Sequence, residues 1–119
     1  MAEQLESILA EGLDRLGIPY TEETLQRFRV YYTLLTERGS QMNLTAISGE
    51  ADVARLHLLD CAAVLKQFPF SGKRVLDVGS GAGFPGLVLK LLCPDLSLTL
   101  LDSTLKRVLF QQEVCEALD

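Results

Sequence analysis

Apolar side chains recur at helical spacing near the start of the chain: Leu5, Ile8, Leu9, Leu13 and Leu16 fall on one face, and Gly17 with Pro19 stops the run. This spacing predicts an amphipathic helix over residues 3–16. A second helix follows, with Thr21 placed to cap its first turn and Leu25, Phe28, Tyr31, Tyr32 and Leu35 sharing a face until about Gly39. Ser48 is placed to cap a third, which runs past Val53, Leu56 and Leu59 to about Gln67, ahead of Pro69.

The pattern changes at Lys73. Val75-Leu76-Asp77-Val78 is a short apolar run closed by glycines, and Leu96 to Leu101 is another, opened by Pro94-Asp95; both read as buried parallel strands. Pro85 to Cys93 is expected to form a helix between them, and Ser103 to cap a last helix carrying Leu105, Val108, Leu109 and Leu118. The expected fold is α/β: an N-terminal helical region over residues 1–70, then the first half of a Rossmann-like core over residues 71–119. Two parallel strands cannot bury both faces or close their outer edges, so the sheet reads as truncated after its second strand and helix, with the missing strands beyond Asp119. The open strand edges also allow self-association of such a chain.

Composition narrows the function classes. A 48% hydrophobic, 23% charged chain of 119 residues is an ordinary soluble domain. A net charge of -5 and a pI near 4.8 exclude binding of nucleic acid by bulk electrostatics, so any RNA contact must be local. No apolar run approaches a membrane span and the acidic N-terminus does not resemble a secretory leader, which points to the cytoplasm. Cys61, Cys93 and Cys115 are odd in number and far apart, with no Cys-x-x-Cys pair; neither a metal site nor a disulfide is expected, and all three read as small buried hydrophobes.

The chemistry gathers at Val75-Leu76-Asp77-Val78-Gly79-Ser80-Gly81-Ala82-Gly83-Phe84-Pro85-Gly86, a strand running into glycines and then a helix start. Gly79, Gly81 and Gly83 let the backbone approach a ligand at the carboxyl end of the strand. Gly81, Gly83 and Gly86 also fit a dinucleotide fingerprint, but Asp77 separates the readings. A carboxylate there repels a pyrophosphate and welcomes the ammonium and sulfonium of S-adenosylmethionine; its alternative task is to bond loop amides. Asp102 ends the second strand at the offset expected of an acid that accepts ribose hydroxyls, or else serves as an acid at a helix start.

These residues resemble the glucose-inhibited division protein B group, whose members are 16S ribosomal RNA guanine-N7 methyltransferases. The resemblance runs from Met42 to about Gln111 and rests on four motifs in order: Asn43-Leu44-Thr45, His57 with Asp60, the loop Gly79 to Gly86, and Leu101-Asp102-Ser103 followed by Lys106-Arg107. It implies S-adenosylmethionine as cofactor, with backbone contacts from Gly79 and Phe84 and Asp102 at the ribose, and 16S ribosomal RNA or the small ribosomal subunit as partner. Leu56 and Cys61 depart from the pattern, standing where the group has a basic residue and a serine.

Each candidate for the RNA side also has a plainer role. Asn43 and Thr45 fix a turn or meet substrate. His57 packs structurally, in reach of Asp60 one turn on, or meets substrate. Lys106 and Arg107 are solvated or touch phosphate. Guanine N7 presents a lone pair, so no catalytic base or nucleophile is expected; positioning can supply about 7–11 kcal/mol of barrier reduction. Two rival readings are an NAD(P)-dependent oxidoreductase and a non-catalytic fragment or interaction module. This chain by itself is expected to bind cofactor weakly or not at all.

Overall fold

The computed structural model describes residues 3–38, 49–79 and 81–118. Helices α1 (Glu3–Leu16) and α2 (Glu22–Arg38) stand where the apolar spacing puts them. Thr21 caps α2 reciprocally: its Oγ1 accepts the Thr24 amide at 3.2 Å, and Thr24 Oγ1 accepts the Thr21 amide at 3.1 Å. This satisfies two donors at the exposed helix start. Leu5, Leu9 and Leu13 of α1 and Leu25, Phe28, Tyr31 and Leu35 of α2 are buried together. Arg29 grips Glu6 through Nε and a terminal nitrogen, at 3.1 and 2.6 Å, and also reaches Glu50 at 2.8 Å, so α1 and α2 are tied to the start of the third helix.

That helix, α3, covers residues 50–66 and changes its winding on the way. Val53–Leu58 is π-helical, Leu59–Ala62 returns to α, and Ala63–Lys66 tightens to 3-10. A π turn bonds residues five apart, so Val53 and Leu58 both reach the core while Leu56, between them, is 65% exposed. The regular helix expected here is corrected on that point. Ser48 lies outside the described residues, and Gly49 stands at the cap with no side-chain hydrogen bond.

Gly12 marks the tightest helix contact. A Cβ there would overlap Leu59 Cδ1 and lie 2.6 Å from its Cδ2, with Cγ at 3.0 Å. Gly12→Ala gains about 1 kcal/mol of helix propensity but overpacks α1 against α3, at about 1–3 kcal/mol. Urea unfolding is expected to show net destabilisation; a stabilised variant would mean that Leu59 swings clear at no cost.

Strands β1 (Arg74–Val78) and β2 (Ser97–Leu101) pair in parallel, in register from Arg74 with Ser97 to Val78 with Leu101. Helix α4 (Gly86–Leu92) joins them and α5 (Leu105–Leu118) follows, so the α/β order holds. The strands are covered on one face only. Leu98 and Leu100 pack toward α4 and the helical region, whereas Leu76, Val78 and Leu101 are 59%, 68% and 52% exposed. Apolar side chains lie all round α5, and the side turned inward carries Phe110, Gln111 and Val114, while Leu105 and Leu109 are exposed. Thr104, not Ser103, opens α5, its carbonyl accepting the Arg107 and Val108 amides. Cys61 and Cys93 are half-buried and Cys115 is exposed, which corrects the reading of three buried cysteines.

Candidate functional site

The carboxyl ends of β1 and β2 and the turn between β1 and α4 form one constellation. Gly79 continues the ladder, its amide donating to Leu101 O at 2.7 Å. Gly83 adopts φ +100°, a region side chains rarely enter, and a Cβ on it would overlap Leu87 Cδ1 and lie 2.7 Å from the Tyr31 hydroxyl. At Gly86 the issue is room: a Cβ would stand 2.8 Å from Asp77 Oδ2 and 3.0 Å from Leu98 and Leu100, so only glycine lets α4 begin flat on the strands.

Two carboxylates hold the turn at its two ends. Asp77 Oδ2 accepts the Gly86 amide at 2.9 Å, and Asp102 Oδ2 accepts the Gly81 amide at 2.9 Å. Asp102 Oδ1 also accepts the Thr104 amide at 2.9 Å. The acids differ electrostatically. Amide donation from Thr104 and then Gly81, with Arg107 nearby, holds Asp102 below the usual carboxylate value. Burial pushes Asp77 above it, and the Gly86 amide only partly offsets this. No basic side chain among the described residues lies against Asp77, so it is a partly desolvated carboxylate without a cation.

Residues not singled out as site candidates complete the frame. Tyr31, fully buried on α2, donates its hydroxyl to Ala82 O at 2.5 Å, and Gln111 Nε2 on α5 donates to Gly81 O at 2.9 Å. The signal for Gln111 was its polarity between inward-facing Phe110 and Val114, because a buried amide must find a partner. Tyr31 read as one more apolar position on α2. Phe84 contacts two rings: His57 stacks on it at 5.3 Å and 4°, and Tyr31 meets it at 6.0 Å and 59°.

The structure thus gathers Asp77, Gly79, Gly81, Gly83, Phe84 and Asp102, and adds His57 through its ring stack. Among the hydrogen bonds of the described residues none joins His57 to Asp60, and the imidazole stacks on Phe84 instead. Arg107 turns back toward the loop, 4.0 Å from Asp102 Oδ2, while Lys106 is exposed. Asn43 and Thr45 lie outside the described residues. Burial, with Asp60 and Asp77 nearby, pushes the Cys61 thiol up to about 11, which leaves it protonated and unreactive near neutrality. Among the described residues no cluster of His, Cys, Asp or Glu can hold a metal, and no helix is long and apolar enough to cross a membrane.

A family model described as GidB, rRNA small subunit methyltransferase G, matches residues 24–119. The chain belongs to the GidB family. The match reaches farther in both directions than the motifs from Met42 to Gln111. Among curated relatives, the Ribosomal RNA small subunit methyltransferase G of Lachnoclostridium phytofermentans is 42% identical over 114 residues, 95% of this chain and 47% of the relative. That of Alkaliphilus oremlandii is 44% identical over 114 residues, 94% of this chain and 47% of its own. The protein of that name from Carboxydothermus hydrogenoformans is 40% identical over all 119 residues, 49% of its length. The chain therefore spans about half the length of the GidB relatives it matches.

Proposed function

We propose that this chain is the cofactor-binding portion of a cytoplasmic enzyme that uses S-adenosylmethionine to methylate guanine N7 in 16S ribosomal RNA of the small subunit. The observation that carries the reading is the Asp77 carboxylate on the Gly86 amide. In dinucleotide sites of this glycine spacing the helix start receives the pyrophosphate. Here a carboxylate already takes that amide, and a diphosphate beside it would meet like charge in partly desolvated surroundings. A ligand carrying an ammonium and a sulfonium is attracted to the same point. This favours S-adenosylmethionine over NAD(P), in keeping with the methyltransferase description of the GidB family.

When bound, that cofactor supplies an electrophilic methyl group. Asp102 has given one acceptor position per oxygen to backbone amides, and a carboxylate offers about four, which leaves capacity for ribose hydroxyls. With the Gly79 amide engaged in the ladder, its carbonyl and the Phe84 backbone are the groups assigned to the ligand. On the RNA side we assign Lys106 and Arg107 to phosphate, and Asn43, Thr45 and His57 to the strand that carries the target base. No side chain need act as a base, since N7 already offers its lone pair.

Calorimetric titration of the chain with S-adenosylmethionine tests the cofactor. Weak, saturable binding that NAD does not displace is expected; tight NAD binding would overturn the use made of Asp77. Mass spectrometry of 16S ribosomal RNA from cells with and without the whole protein tests the substrate: one methylguanosine should disappear, and an unchanged nucleoside profile would remove RNA from the proposal.

A further inference from the structure

The second N-terminal helix reaches into the glycine loop through a side-chain hydrogen bond. Tyr31 starts on α2, 51 positions before Ala82, and its hydroxyl ends on the Ala82 carbonyl at 2.5 Å with no part of the side chain exposed to solvent. The fit is mutual. The phenol end occupies the space that a Cβ at Gly83 would need, 2.7 Å away, and the ring borders Phe84, which also stacks on His57. The neighbouring carbonyl, of Gly81, is held independently by Gln111 from α5.

We infer that Tyr31 is a positioning residue for cofactor binding: its hydroxyl fixes the Ala82 carbonyl, and with it the backbone from Gly81 to Phe84. The inference rests on the cofactor reading above. A buried carbonyl must be paired, and around Ala82 the paired conformation is the one that keeps Gly81 N–H on Asp102 and Leu87 N–H on Gly83 O. Burial keeps the phenol protonated far above neutral pH, so the donor is present throughout the physiological range. The helical region then belongs to the site, since its second helix determines where the glycine backbone stands.

Tyr31→Phe tests this, because it keeps the ring and removes only the donor. Amide hydrogen exchange, read by NMR on the chain, should accelerate about tenfold at Gly81 and Leu87 relative to Leu35 on the same helix as Tyr31, as expected for a buried hydrogen bond lost locally. Affinity for S-adenosylmethionine should fall by about the same factor, which is what one hydrogen bond is worth. Equal acceleration at Gly81, Leu87 and Leu35, or unchanged affinity, would reduce Tyr31 to a core filler and overturn the inference. If the wild-type chain shows no binding at all, the cofactor reading fails for this chain. The exchange arm then still decides: loop-selective acceleration upholds Tyr31 as the anchor, and uniform acceleration removes it. Should Tyr31→Phe fail to fold, the wild-type chain carries the test through the Tyr31 ring-carbon resonance beside the hydroxyl. That resonance must move on saturation with S-adenosylmethionine while that of Tyr32 does not; a static Tyr31 resonance in a saturated chain overturns the inference.

Discussion

Gly83→Ala is expected to destabilise the chain by about 3 kcal/mol, from backbone strain and overpacking together, and to lower its melting temperature by roughly 10 °C. Cofactor binding should be lost with it. Two effects coincide at this position. The residue sits at φ +100°, and its missing Cβ is the space in which Leu87 and the Tyr31 hydroxyl meet the turn. Gly81 provides the comparison: it too has positive φ, at +55°, but a Cβ there meets nothing closer than Arg107 at 4.0 Å. Gly81→Ala should therefore cost only about 1 kcal/mol, the strain of a single left-handed residue. Equal melting losses in the two variants would show that crowding at Gly83 contributes nothing.

Asp102→Ala should weaken S-adenosylmethionine binding about ten- to a hundredfold, as expected when charge-assisted hydrogen bonds are removed. The side chain is proposed to act twice, as acceptor for the ribose and as anchor for Gly81 and Thr104. Asp102→Asn separates the two roles in part, because its amide keeps one acceptor oxygen but turns a donor toward one of the two backbone N–H groups. Undiminished affinity in Asp102→Ala would exclude the residue from the site. The pH dependence has a definite order. The folded-state value of Asp102 lies below that of an unfolded aspartate, so its contribution to stability is present above the unfolded value and is lost as pH falls through the lower, folded one. Asp77 has the opposite sign: its folded value is raised, so the folded state is favoured below the unfolded value and that advantage is lost as pH rises through the folded one. On acidification Asp77 takes its proton first. Loss of cofactor affinity in acid should begin there, while the Asp102 clamp is still closed.

Much of this was legible in the residues. Helices α1 and α2 follow from apolar side chains three and four apart, and Thr21 as cap from its hydroxyl before an acidic first turn. The strands were recognisable as short apolar runs with turn residues at one end, the glycines after Val78 and Pro94-Asp95 before Leu96. What escaped depended on tertiary geometry. Winding in α3 is not encoded in spacing: Leu56 fits a regular helical face as well as Val53 does, and only the π-helical stretch puts it in solvent. On α5 the apolar residues surround the axis, so periodicity could not choose between Leu105 with Leu109 and Phe110 with Val114. Tyr31 was visible as an apolar position but not as a donor, since its acceptor is brought to it by the fold from 51 residues away. For Asp77 the structure shows the loop-amide alternative, a bond from Gly86, and on our proposal the same bond is what closes the helix start to phosphate.

Five backbone groups of the turn have protein partners before any small molecule arrives: the amides of Gly81 and Gly86 and the carbonyls of Gly81, Ala82 and Gly83. Such a receptor is preorganised. Each residue already fixed spares about 1–2 kcal/mol of ordering entropy at the moment of association. On the proposed reading, capture then waits on encounter rather than on closure, and a chain of net charge -5 draws a positively charged guest toward itself.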